Sequence, residues 1–114
     1  MEHSMILNPE PFEMIRNKTK TIELRLYDDK RKGISSGDII CFHNSSNPQD
    51  VIRVKVESLH VYNSFDELYR VLPLLQCGYT KENIDFANPE DMDVYYSKEK
   101  QAQFGVVGIQ IELI

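Results

Sequence analysis

The sequence predicts an α+β fold, and three observations predict it. Strand-like segments cluster in the first half, a stretch from about Ser64 to Gln103 carries repeated helix-start signals, and an alternating segment closes the chain. A βαβ array would interleave these elements instead. With 114 residues the chain has room for one core, and it shows no internal repeat, low-complexity tract or flexible linker.

The first helix is expected from about Pro9 to Arg16: Asn8 suits the N-cap, Pro9 the first helical position, and Phe12 with Ile15 forms an apolar pair. Asn17 and Lys18 end it. In Thr21–Tyr27, Ile22, Leu24 and Leu26 alternate with polar neighbours, which describes a strand whose other face carries Thr21, Glu23 and Arg25. The chain then stays polar until Ser36-Gly37-Asp38, a turn in which Asp38 is expected to accept backbone amides.

Ile39–Phe42 follows as a short buried strand, and Asn44–Pro48 as a loop. A long strand spans Val51–Tyr62. Ile52, Val54 and Val56 share one phase while Leu59 and Val61 share the opposite one, so a bulge near Glu57-Ser58 is required to restore the register. Ser64-Phe65-Asp66-Glu67 matches a capping box that opens a helix to about Leu72. Pro73 opens a further turn, Gly78 closes it in a left-handed conformation, and Thr80 and Asn88-Pro89 mark two more helix starts. Val107, Ile109, Ile111 and Leu113 alternate with polar residues or glycine in the closing strand.

Composition narrows the function. An apolar fraction of 41% and a charged fraction of 27% fit a globular domain with a real core. No apolar run nears the length of about 18 residues that spans a bilayer, and the opening residues lack a basic flank followed by an apolar block, so a cytoplasmic protein is expected. The net charge of -5 disfavours strong sequence-independent nucleic-acid binding through overall electrostatics. Cys41 and Cys77 stand outside any CxxC or Cys/His ladder and read as reduced, packed thiols. His3, in a loose N-terminus, His43 and His60 have no ligand spacing, so neither a metal site nor a cofactor is expected. The serines at 35, 36, 45 and 46 lack a GxSxG context and read as loop residues. Of the adjacent Tyr95 and Tyr96, one is expected in the core and the other at a rim.

Charge is uneven along the chain. Between Arg16 and Lys32 seven basic residues face three acidic ones, and the remainder is strongly acidic. A solvated face accounts for much of this. It does not account for Lys20, Thr21, Glu23 and Arg25 meeting where a helix hands over to a strand. Glu23 and Arg25, two apart, lie side by side, either as an ion pair or as two grips on one ligand, and Lys20 can join them. The set suits a polar, amide-bearing or phosphate-bearing ligand. From these residues alone a structural salt bridge explains it as well.

Lys18-Thr19-Lys20-Thr21-Ile22-Glu23-Leu24-Arg25 resembles the GxKxxExR signature of ASCH domains, relatives of PUA domains. Gly37-Asp38-Ile39-Ile40-Cys41-Phe42 is similar to that family's GDxIxF segment, and Tyr95-Tyr96-Ser97 with Phe104–Ile109 to its C-terminal pattern. The likeness runs from about Ile6 to Ile114, leaving residues 1–5 as an N-terminal tail. It implies a PUA-like small β-barrel with flanking helices, and a cleft floored by Lys20, Glu23 and Arg25 that binds RNA or a nucleoside; Thr21, on the same strand face, is expected to join them as a ligand-binding residue. The signature glycine is Lys18 here. Lysine costs on the order of 1 kcal/mol in a left-handed conformation, so the turn is expected to shift by a residue, to Asn17.

Some bacterial relatives of similar size are small amidohydrolases acting on N4-acylated cytidine, with a lysine, a threonine and a glutamate. Lys20 matches the lysine, the threonine position is Glu23, and the glutamate has no assigned counterpart, so the resemblance leaves Lys20 and Glu23 as catalytic candidates. A carboxylate beside the lysine favours its protonated form, whereas a lysine base must shed its proton near neutral pH. Binding is therefore the expected function, with Arg25 donating paired hydrogen bonds to a phosphate or base carbonyl, Lys20 supplying charge, and Glu23 accepting from a base amine or ribose hydroxyl. A third class, a protein-interaction module using the acidic half, has no specific residue pattern behind it.

Overall fold

The computed structural model describes residues 1–114. In chain order, strand β1 (Glu2–Leu7), helix α1 (Pro9–Arg16), β2 (Ile22–Leu26), the single-turn α2 (Asp29–Lys32), β3 (Ile39–Asn44) and β4 (Asn47–Tyr62) are followed by α3 (Phe65–Val71). Three 3-10 turns (Leu74–Gln76, Ile84–Phe86, Pro89–Val94), then α4 (Lys98–Phe104) and β5 (Val106–Leu113), complete it. The strands form one mixed sheet in the order β1-β3-β4-β5-β2, with β1 parallel to β3 and every other pair antiparallel.

The sheet curls into a half-barrel because β4 is long and bent. Its register with β5 jumps between Val56 and Ser58, leaving Glu57 as the extra residue that the hydrophobic phase demanded. Ile52, Val54 and Val56 before the bulge face the barrel core, and Leu59 after it packs against the same cluster, with Phe42, Phe12 and Ile109 fully buried there. A second cluster joins Leu24, Leu26 and Val106 of the sheet to Phe65 and Leu68 of α3. The curl brings the two edge strands near each other without pairing them. Arg25 Nη2 on β2 donates to the Ile6 carbonyl on β1 at 3.0 Å, and Lys30 Nζ reaches the Ser4 carbonyl at 2.8 Å, so two cationic side chains cap the free edge of β1.

Residues 2–5, expected as part of a tail, lie in β1 instead. Met5 and Leu7 enter the core, and Glu2 to Leu7 pair with Ile39 to Asn44. A parallel partner 37 positions away leaves no turn signal, and two apolar residues are too few to announce an alternation. His3 is likewise fixed rather than loose: its Nε2 lies 2.9 Å from Asp38 Oδ2, the oxygen that also accepts the Ser35 amide at 2.9 Å. The hydrogen bond from His3 is the chief reason the Asp38 carboxyl is held down to about 2.

The helical stretch proves to be two short helices separated by 3-10 turns. Ser64 caps α3 by accepting the Glu67 amide, and Asn88 caps the turn that starts at Pro89. Thr80 precedes the turn at Ile84 rather than starting a helix itself. α2, within the polar stretch after Asp28, has no apolar periodicity to reveal it; its N-cap Asp28 accepts the Arg31 amide.

The turn after α1 does not shift. Asn17 keeps φ -87 while Lys18 itself takes φ +70. The cause is the end of the helix: the Lys18 amide donates to Ile15 O at 3.1 Å and the Thr19 amide to Met14 O at 2.9 Å, a Schellman closure whose left-handed position falls on residue 18. Asn17 Oδ1 accepts from the Thr19 amide and hydroxyl, which fixes it as the cap. Lys18→Gly should therefore raise stability by about 0.5–1 kcal/mol. Thermal melting of both proteins checks this; an unchanged or lower midpoint contradicts it.

Candidate functional site

The seam between β1 and β2 is where the charged residues meet. Glu23 and Arg25 project from the face of β2 opposite Ile22, Leu24 and Leu26, and Lys20 comes off the turn after α1. Lys20 Nζ lies 2.9 Å from Glu23 Oε1, and Arg25 Nε donates to Glu23 Oε2 at 2.7 Å. Lys20 is 8% exposed and Glu23 4%. Each carboxylate oxygen thus has its own cation. One buried negative charge holds two positive ones, leaving a net positive group.

The local backbone is shaped to this triad. The Thr21 amide donates to Gln76 O at 2.9 Å, fastening the 3-10 turn Leu74–Gln76 beside the start of β2. Gly78 follows at φ +111, and a Cβ on it would stand 3.4 Å from Lys20 Nζ and 3.5 Å from Cδ. Glycine allows both the backbone conformation and the close approach of the lysine. Thr21 is turned elsewhere: its hydroxyl donates to Gln76 Oε1 at 3.1 Å, and it lines a separate groove with Gln76 and Gln110 rather than the cleft holding Glu23 and Arg25. Of the four expected ligand-binding residues, three converge and Thr21 does not.

The cleft over Lys20, Glu23 and Arg25 has a volume of about 460 Å³. Its walls include Tyr69, Tyr79, Tyr95 and Tyr96. Tyr96 packs with its ring 6.4 Å from Phe65 and nearly parallel to it, while Tyr95 is 62% exposed at the mouth, the division expected of the pair. Tyr69, Tyr79 and Asp91 had no signal in the sequence. They lie on three different elements or turns and meet only because the 3-10 segments fold back over the cleft, where Tyr69 Oη is 2.6 Å from Tyr79 Oη and Tyr79 donates to Asp91 Oδ2 at 2.7 Å.

Electrostatics follow from burial and pairing. Burial pushes the Glu23 carboxyl up, but the charges of Lys20 and Arg25 more than offset this and hold it below its ordinary value. Burial would lower the Arg25 guanidinium; Glu23, aided by Tyr96, raises it instead. Cys77, in the cleft wall, is pushed up to about 11 mainly by burial, so its thiol stays protonated and is no nucleophile at neutral pH.

Fold and cleft together define an α+β half-barrel of the PUA-like kind, open along one seam where a charged triad sits. The chain belongs to the ASCH domain family, whose model matches residues 5–114. Among solved structures it is similar to hypothetical protein PH0355, with 34% identity over all of both chains and a TM-score of 0.82. It is similar to protein PF0455 from Pyrococcus furiosus, with 34% identity over 100% of this chain and 98% of that one and a TM-score of 0.76. The ASCH protein from Zymomonas mobilis shares the fold at 14% identity, covering 97% of this chain and 66% of that one, with a TM-score of 0.67. No curated protein matches. No helix is long and apolar enough to cross a membrane.

Glu23→Gln leaves two buried cations without a counter-charge and should cost about 3–5 kcal/mol near neutral pH. Because the folded carboxyl titrates below its ordinary value of 4.5, its contribution is complete above that value and is lost as pH falls from there through the folded one. Urea melts across this range should show an acid limb in the wild type that is weaker in the variant. A variant as stable as wild type near neutral pH contradicts the role given to Glu23.

Proposed function

We propose that the cleft binds a single nucleotide unit, either a free nucleoside or nucleotide or one unpaired residue of RNA. The observation that carries this is the pair of cations held on one buried carboxylate at the floor of a tyrosine-walled cleft. A volume of about 460 Å³ lies within the size range of small-ligand sites and suits one base and its sugar rather than a duplex. Arg25 spends Nε on Glu23 and one Nη2 hydrogen on Ile6, which leaves donors for a base carbonyl or phosphate; Lys20 adds its remaining ammonium hydrogens. Exposed Tyr95 offers a face for stacking, the sequence-tolerant part of single-strand recognition.

Glu23 positions Lys20 and Arg25, since each of its oxygens is engaged by one cation, and the second lone pair on each oxygen can accept from a base amine or ribose hydroxyl. Several side chains of the basic run from Arg16 to Lys32 are already engaged. Arg16 pairs with Asp50, Arg31 with Asp28, and Lys30 is spent on Ser4 O. Hydrolysis of N4-acylated cytidine asks Lys20 to act as a base, but its Nζ is already engaged by Glu23 Oε1 at 2.9 Å, which speaks against that alternative.

Titration with the four nucleoside monophosphates and a short single-stranded RNA tests the reading. Arg25→Ala should weaken binding about 10- to 100-fold, the worth of a charge-assisted hydrogen bond. With only two cations engaged, RNA affinity should fall about 7-fold between low and fourfold higher salt, following the single-strand slope for two phosphates. Absence of nucleotide binding, or affinity indifferent to Arg25→Ala, overturns the proposal; turnover of N4-acetylcytidine lost in Lys20→Ala replaces it with the hydrolase.

A further inference from the structure

The tyrosine pair on the far wall carries a fixed order of protons. Asp91 Oδ2 accepts the Asn88 amide at 3.1 Å and the Tyr79 hydroxyl at 2.7 Å. A phenol has one proton, and Tyr79 gives its own to Asp91. Tyr79 is therefore the acceptor in its 2.6 Å contact with Tyr69, and Tyr69 must be the donor. The Tyr69 proton is spent in turn, so the Tyr69 oxygen has only lone pairs left to offer. Both phenols keep their protons at neutral pH: burial pushes Tyr69 up to about 12, and burial together with its contacts to Tyr69 and Asp91 raises Tyr79 further.

Arg25 and Lys20 offer only donors and Tyr69 only an acceptor, and all three line the same cavity, where Glu23 sits between the two cations and Tyr69 stands on the opposite wall. We infer that Tyr69 is a specificity-determining residue whose oxygen accepts an N–H from the exocyclic amine of a nucleobase held at its acceptor edge by Arg25 and Lys20. The inference rests on the proposed nucleotide binding and narrows it to amino-bearing bases. A base with a carbonyl at that position sets lone pair against lone pair and leaves both partly desolvated without a partner.

Two pairs of probes read this out, cytidine against uridine and adenosine against inosine, each pair exchanging an exocyclic amine for a carbonyl and the lone pair of the adjacent ring nitrogen for an N–H. Wild type should favour the amine of at least one pair by about 10-fold or more, the cost of an unpaired buried polar group. Tyr69→Phe removes the acceptor and should cut that ratio several-fold, leaving the share that the ring nitrogen contributes. Tyr79→Phe keeps the ring but frees the Tyr69 proton, which can then turn to a carbonyl, so the ratio should fall at least as far. Asp91→Asn should preserve it, since the Asn88 amide holds an oxygen, not an NH2, at the position that Tyr79 faces.

Equal affinity within both pairs in the wild type overturns the inference, and so does a preference left undiminished in both Tyr→Phe variants once circular dichroism shows them folded. In either case binding that still depends on Arg25 leaves the nucleotide reading standing. If neither the four nucleosides nor their monophosphates bind, both fall together.

Discussion

The site depends on one buried carboxylate. Removing three charged groups from water is costly, and Glu23 offsets that cost only because each of its oxygens meets a separate cation at hydrogen-bond distance. Lys20 arrives from the end of α1 and Arg25 from the same strand two residues on, so the pairing also ties helix, strand and cleft floor into one unit. The residual positive charge is what remains available to a ligand. Lys20 and Arg25 without the acid would repel each other and swing into solvent; the acid without both cations would take up a proton.

Much of the fold was legible because the signals were local. The alternation of β2 and β5, the proline at the start of α1, and the cap at Ser64 act within a few residues of themselves. The bulge in β4 was legible for a sharper reason: a period-two pattern cannot change phase without an inserted residue, and Glu57 is that residue. What the sequence hid was nonlocal. Strand β1 depends on a parallel partner far along the chain, and the left-handed turn stayed on Lys18 because hydrogen bonds to Ile15 and Met14 outweighed the preference for a smaller residue.

The site divides along the same line. Lys20, Glu23 and Arg25 were legible from spacing and from the resemblance of their motif, since alternate residues on a strand share a face. Thr21, which the same alternation would set beside Glu23 and Arg25, lies outside their cleft because it precedes the first residue of β2 and both its amide and its hydroxyl are tied to Gln76. The opposite wall was invisible. Tyr69, Tyr79 and Asp91 sit in a helix and two irregular turns, and nothing in their spacing places three polar groups in a line.

The unpaired seam between β1 and β2 has a consequence for how substitutions at residue 25 are interpreted. The guanidinium that faces the cavity is also a staple, fastening a carbonyl of the first strand across the gap where the barrel stays open. Under the proposed function, recognition and closure share a single side chain. A molecule that draws Arg25 inward tugs on the amino-terminal strand, and amide exchange along Glu2–Leu7 becomes a gauge of whether the cavity is filled.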